Sequence, residues 1–364
     1  MTVNKIAKTL EELAPLEHAE SFDNVGLLVG DPNMKVKGVL VTLDTLENVM
    51  DEAIEKKCNL IVSFHPIIFK GLKKLTGSNY VERVVLKAIT NNIAIYSMHT
   101  ALDNSKIGVN AKICDVLGLK NPEILIPRTK SIKKLTTYAP NATAENIKMA
   151  LFAAGAGEIG KYSNCSYSLE GVGSFKAEDG ANPAVGKVGE VHFEKETMIN
   201  VIYSFEKEKP ILKALFDAHP YEEVAYEVLT LENTNQDLGM GMVGHLDIEM
   251  EEKEFLLMVK ERMKASTVRH SELLGRKVSK VAVLGGSGAF AIGAAKKAGA
   301  DILVTADLKY HDFYQAENQL VIADIGHFET EQFTKDLLVD YLTKKIPNFA
   351  VSLSESITNP IKYL

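Results

Sequence analysis

Six short apolar runs recur along the chain with one grammar: GVLVTLD (38–44), NLIVSFHP (59–66), IAIYSMHT (93–100), KVAVLGG (280–286), DILVTAD (301–307) and LVIADIGH (320–327). Each is a nearly unbroken series of aliphatic and β-branched residues of strand length. Because polar positions do not alternate with apolar ones, both faces of each strand must be covered. Between the runs the period changes to that of a helix. Leu46, Val49, Met50, Ala53 and Ile54 fall at i, i+3, i+4, i+7 and i+8, and Val81, Val84, Val85, Ala88 and Ile89 repeat the stripe. Strands alternating with helices predict an α/β core, with a largely parallel sheet flanked by helices. The opening MTVNKIAKTLEEL predicts an amphipathic helix capped by Thr2 or Asn4.

The grammar changes between residues 133 and 232. KLTTYAP, AENIKMALFAAGAG, a Gly-rich stretch running to MINVIYSF, KPILKALFDAHPYEE and VAYEVLTL follow one another, which predicts a β-α-β-β-α-β, ferredoxin-like α+β plan. ALFAAGAGEIG (150–160) and ALFDAHPYEEV (214–224) occupy matching helix ends, an internal echo. IPRTKS (126–131) and NTNQD (233–237) supply short linkers. The expected organisation is therefore a domain of residues 133–232 inserted into a discontinuous core made of residues 1–130 and 236–364.

Composition narrows the class without altering that picture. A chain of 364 residues, 46% hydrophobic and 24% charged, is ordinary for a globular protein of two or three domains. Cys58, Cys114 and Cys165 are scattered and odd in number, which suits a reducing cytosol and argues against a thiolate metal cluster. The first residues lack the pattern of a signal peptide and no run has the length of a membrane span, so a cytoplasmic location is expected. The net charge of −7 comes without any Lys/Arg block, which argues against direct nucleic-acid binding.

Polarity enters the apolar runs at one place, their C-terminal ends, where Asp44, His65, His99, Asp307 and His327 stand. Open α/β sheets bind ligands at that edge. Pro66, which cannot donate to a strand ladder, ends pairing just after His65. In HFETE (327–331) the imidazole of His327 and the carboxylate of Glu331 are four apart, hence on one face of a helix, with Glu329 and Thr330 directed elsewhere. In HTALD (99–103), Asp103 follows His99 by four, across a turn that Asn104 and Gly108 make irregular. Together with His65 these segments place two imidazoles and two carboxylates at one sheet edge: His65, Asp103, His327 and Glu331. Mixed nitrogen and oxygen donors suit Zn²⁺, Fe²⁺ or Mn²⁺, and carboxylates can bridge two ions. Taken alone, HxxxE also reads as a solvated helix pair.

Two further signals are open between alternatives. GGSG (285–288) fits either an anion-binding amide nest or tight strand-to-helix packing, and lacks the spacing of a dinucleotide fingerprint. KYHD (309–312) could supply a general acid or anion contact through Lys309 or His311, or simply cap a turn. Cys165 has no histidine near it in sequence and is not expected to be a nucleophile.

The segments ESFDNVGLLVGDP (20–32), SFHPIIFKGLKKL (63–75), MHTALDNSKIGVN (98–110), GGSG, ADLKYHD (306–312), DIGHFETE (324–331) and TNPIKYL (358–364) resemble, in order and over essentially the whole chain, the GTP cyclohydrolase I type 2 homologue family, the proteins like NGG-one-interacting factor three. The resemblance implies a toroidal homohexamer with paired metal ions in each subunit, liganded here by His65, Asp103, His327 and Glu331. Phe64 departs from the pattern, because the family often has a second histidine there. Either one ion dominates or a second binds more weakly, with water and His99 completing its shell; two ions of unequal affinity are the expectation. AGAGEIGKYSNCSYSLEGVGSF, GANPAVGKVGEV and HPYEEVAYEV resemble the PII/CutA-like insertion of longer family members, which would gate the ring opening or stabilise the oligomer. The implied function is a metal-dependent hydrolase for a small phosphorylated or nucleotide-like substrate, with His99 or His311 carrying protons. The alternative is a metal-binding or metal-trafficking scaffold that works through protein partners. Nothing in these residues reads a guanine base, as opening of the GTP ring would require.

Overall fold

The six apolar runs of the core all contain strands, but they lie in two sheets rather than one. The computed structural model describes residues 1–364, which divide into one unit of residues 1–127 with 236–364 and another of residues 128–235. In the larger unit, a five-stranded sheet has the order Gly26–Val29, Ala94–Ser97, Leu60–Ser63, Val39–Thr42, Val351–Leu353. All neighbours are parallel except the edge strand Gly26–Val29. A six-stranded sheet has the order Arg269–His270, Val321–Asp324, Ile302–Ala306, Lys277–Ser287, Asn235–Glu251, Lys120–Arg128. Its three apolar runs are parallel, and antiparallel strands flank them.

Alternating residues explain the two-sheet arrangement. Val39, Val41, Leu60, Val62 and Tyr96 of the first sheet share a core with Val281, Val283, Ile302, Val304 and Val321 of the second. Helices Val3–Glu11, Val109–Leu117, Glu252–Arg262 and Thr334–Lys345 contribute Leu10, Ile113, Phe255 and Leu338 to that same core. The outer faces are covered separately. Leu40, Ile61 and Ile95 pack with residues of Glu47–Glu55 and Tyr80–Thr90, whereas Ala282, Leu303 and Ile322 pack with Ile292 and Ala295 of Ile292–Lys297. Every central strand is thus buried on both sides, as its unalternating composition requires. Burial of each such side chain is worth roughly 1.5–3 kcal/mol, and truncating Leu338, fully buried in the shared layer, would cost about 2–5 kcal/mol.

The smaller unit carries a four-stranded antiparallel sheet in the order Tyr167–Lys176, Val191–Ser204, Ile132–Pro140, Tyr226–Leu231. Helices Ala144–Ala153 and Glu208–Ala218 complete a β-α-β-β-α-β chain order. Leu135, Ile199 and Val201 of the sheet pack with Ile147, Leu151, Ile211 and Leu215 of the helices. A cavity of about 670 Å³ in this unit is lined by Tyr138, Phe175, Met198 and Tyr221 among others. No helix of the chain is long and apolar enough to cross a membrane.

Candidate metal centre

Parallel pairing of neighbouring strands brings their exits together, and the exits carry the polar groups. Asp44 leaves Val39–Thr42, His65 leaves the adjacent Leu60–Ser63, and His65 Nδ1 lies 2.7 Å from Asp44 Oδ1. The second sheet repeats the construction: Asp307 leaves Ile302–Ala306, His327 leaves the adjacent Val321–Asp324, and His327 Nδ1 lies 2.7 Å from Asp307 Oδ2. Asp307 has φ 58°, the left-handed conformation that short polar side chains tolerate. The short helix His327–Glu331 then delivers the third group. Glu331 Oε2 lies 3.1 Å from His327 Nε2 and 3.0 Å from His65 Nε2. Gly286, with φ 69°, makes room for it: a Cβ at that position would stand 2.4 Å from Glu331 Oε1.

With Nδ1 of each histidine set against an aspartate oxygen, the proton on Nδ1 has an acceptor, and deprotonation of Nε2 would leave its lone pair available to a cation. One donor atom from each of His65, His327 and Glu331 lies within 4.8 Å of the others. Glu331 Oε2, despite its short contacts, has no aligned hydrogen-bond donor, and the buried Asp103 Oδ1 has none either. Such orphaned atoms cost about 1–3 kcal/mol each when left unmade. Two imidazole nitrogens and an orphaned carboxylate oxygen fit a divalent cation.

Without a cation, protons compensate. Burial opposes a charged His65, but Asp44 and Glu331 outweigh it and raise the imidazole to about 10. His327 is raised to about 9 against its burial, through Glu331 and Asp307. Glu331 is lowered to about 2, its burial offset by both imidazoles. Asp103 is pushed well above the usual carboxylate range, first by burial and then by the neighbouring Glu331.

The structure therefore gathers three of the four sequence-predicted ligands tightly. Asp103 stands outside that close triad yet within its electrostatic reach. It ends a short helix, His99–Asp103, where an irregular turn was expected. The site also draws on both sheets instead of one sheet edge, because the N-terminal and C-terminal runs pair only among themselves. His99 belongs to the same neighbourhood: its ring centroid is 5.3 Å from that of His65. Its Nδ1 lies 2.8 Å from Asp23 Oδ1, and Thr100 holds the other oxygen of Asp23 through its N–H and hydroxyl. Phe64 is fully buried, 4.9 Å from the His65 ring and 5.5 Å from the His99 ring, and forms an apolar wall there.

His311 is placed differently, exposed on the 3-10 helical turns Tyr310–Ala316, where its ring packs with Tyr310 and Tyr314. The GGSG amides serve packing: Gly285 N–H donates to Asn110 Oδ1 and Gly286 N–H to Thr330 Oγ1, so neither is free for an anion. Glu329 is buried and accepts from Asn359. The pairing of Asp23 with His99 joins residues far apart in sequence; Asp23 lies in ESFDNVGLLVGDP, one of the segments that carry the family resemblance, but no spacing in the chain points to its partner.

Fold and site together define an α/β protein with a half-buried histidine–carboxylate cluster at the C-terminal ends of parallel strands. The chain belongs to the Duf34/NIF3 (NGG1p interacting factor 3) family, whose model matches residues 1–360. It is 40% identical to the protein of Bacillus subtilis (strain 168) named GTP cyclohydrolase 1 type 2 homolog, over 99% of this chain and 98% of that one. A protein of the same name from Halalkalibacterium halodurans is 37% identical over 99% of this chain and 98% of its own length. Among solved structures, a Bacillus cereus protein related to NIF3 superposes with a TM-score of 0.85 at 36% identity, covering 100% of this chain and 99% of that one.

Proposed function

We propose that this chain is a cytoplasmic, divalent-metal-dependent hydrolase acting on a small phosphorylated or nucleotide-like compound. The observation that carries the reading is Glu331 Oε2 set between two Nε2 atoms whose rings are each oriented by an aspartate. His65, His327 and Glu331 would hold the first ion, zinc in preference to iron or manganese, and Asp103 would serve a second, weaker position because Phe64 offers no donor. A bound divalent ion supplies Lewis acidity and lowers the pKa of a coordinated water. The protein's own part is to fix both imidazole tautomers and to keep Phe64 as a dry wall. His99, oriented by Asp23, carries the proton, a role for which His311 is less well placed on its exposed turn. The reading includes a homohexamer, with the ferredoxin-like, PII/CutA-like insert at the ring.

Hydrolysis assays on a panel of phosphorylated compounds and nucleotides, run with zinc-reconstituted wild type and Asp103→Ala, test this. Turnover in the wild type and its loss in an Asp103→Ala protein of unchanged assembly state is the expected result. No turnover by zinc-, iron- or manganese-loaded wild type, with a protein partner lost on Asp103→Ala, would overturn it in favour of a metal-binding scaffold.

A further inference from the structure

Residues 354–359 run without regular structure from the last strand, Val351–Leu353, to the metal centre. They are tied down at their start by the Glu52 carboxylate, which accepts the hydroxyls of Ser354 and Ser356 at 2.6 and 2.7 Å and the N–H groups of Glu355 and Ser356 at 2.8 and 3.1 Å. The next two polar side chains each reach a different arm of the site. Thr358, only 6% exposed, donates its hydroxyl to Asp44 Oδ2 at 2.6 Å, while Asp44 Oδ1 engages His65. Asn359 donates from Nδ2 to Glu329 Oε1 at 3.1 Å. Glu329 is itself buried and lies within His327–Glu331, the helix that carries the other two donors. That helix opens at Gly326, where a Cβ would stand 2.2 Å from Glu329 Oε2, so the position of Glu329 and the entry of the helix are sterically linked.

One short segment therefore contacts the support of His65 and the support of His327 and Glu331 through consecutive residues. We infer that Thr358 and Asn359 are positioning residues for the metal centre, and that residues 354–359 form a strap whose docking is coupled to metal binding. The inference rests on the reading that His65, His327 and Glu331 hold a divalent ion. Thr358 occupies one oxygen of Asp44, which leaves the other directed at His65 and restricts rotation of the carboxylate about its own axis. Asn359 restrains the helix that sets the distance between His327 and Glu331. Coupling of this kind is reciprocal: if the docked strap raises metal affinity, bound metal stabilises the docked strap by the same factor.

The test uses the full chain with zinc alone as the probe, and affinity is read by competition with a chromogenic chelator. Loss of an orienting contact of this type costs about 10–100-fold in metal affinity, so Thr358→Val is expected to fall in that range, Asn359→Ala toward its lower end, and Thr358→Ser to restore wild-type binding. A purely structural role for the hydroxyl would lower the stability of the zinc-free protein in urea as well, whereas a positioning role lowers zinc affinity with that stability little changed. In the wild type, zinc is expected to slow amide exchange of Glu355 and Ser356, a measurement that stands even if Thr358→Val folds poorly. Zinc affinities of Thr358→Val and Asn359→Ala within about twofold of a zinc-binding wild type, well short of the orienting range, would overturn the inference and leave the metal reading intact. So would exchange at residues 354–359 that ignores zinc. A wild type that binds none of zinc, iron and manganese would overturn both.

Discussion

The two halves of the core build the same device in different surroundings. In each, a pair of parallel strands ends with an aspartate on one strand and a histidine on its neighbour, and in each the Asp–His Nδ1 distance is 2.7 Å. The N-terminal pair is the more enclosed. His65 and Asp44 have side chains 22% and 29% exposed, against 36% for His327 and 46% for Asp307. Asp44 is further held by Thr358. The geometry that fixes the imidazole is thus a consequence of parallel strand exits, whereas its strength is set by how much water reaches it. His65 is the firmly held donor, His327 the more adjustable one, and Glu331 joins them.

Removing the shared group has the largest expected effect. Glu331→Gln takes the charge from both halves at once, and its zinc affinity, read by chelator competition, should fall by more than the ~100-fold upper range of orienting contacts. The comparison itself is broken or sharpened by Asp44→Asn and Asp307→Asn. Each should lose about 10–100-fold in zinc affinity, with Asp44→Asn the more severe. Equal losses, or the reverse order, would remove burial as the distinguishing factor.

Protonation provides a third test. Free histidine titrates near 6.5, and the folded protein raises His65 to about 10 and His327 to about 9. Raised imidazoles contribute stability that is fully present below the unfolded value and is lost as pH rises through the folded one. The zinc-free protein should therefore lose stability in urea unfolding as pH climbs from about 6.5 toward 10, and zinc-loaded protein should not, since its ligating imidazoles carry no proton on Nε2. Glu331, lowered to about 2, adds an acid limb: its contribution is present above the ordinary carboxylate value and disappears as pH falls toward 2. Proton release on zinc binding, measured in weakly buffered solution, follows from the same shifts.

The smallest effect is expected from Phe64→His. This substitution adds a nitrogen donor beside His65 and His99 and should raise occupancy of a second ion, seen as a higher zinc-to-protein ratio. Affinity for the first ion should change little. A ratio that does not move would argue that Phe64 is a packing residue alone.

Much of the core was legible in the chain because its central strands are buried on both faces, which leaves unbroken apolar runs. The division into two sheets was not legible. Val39 and Val281 look alike in sequence, and nothing local records that one pairs with Leu60 and the other with Ile302. His327 and Glu331 were legible as a pair because helical spacing alone aligns them. His65 was legible because a histidine before a proline is unusual at a strand end. The close triad excludes Asp103, which spacing could not foresee, because His99–Asp103 forms a short helix in place of the irregular turn that Asn104 and Gly108 suggested. The supports were the least visible part. Asp23 and Thr358 reach His99 and Asp44 across long stretches of chain, and only the tertiary fold brings them there.

The central claim is that His65, His327 and Glu331 close around a divalent ion, and elemental analysis of the chain reconstituted with zinc and freed of excess tests it most directly. The account predicts roughly one or more equivalents per chain in the wild type and almost none in Glu331→Gln. Wild-type protein that retains no zinc, iron or manganese, or a Glu331→Gln protein that retains as much as wild type, would contradict it.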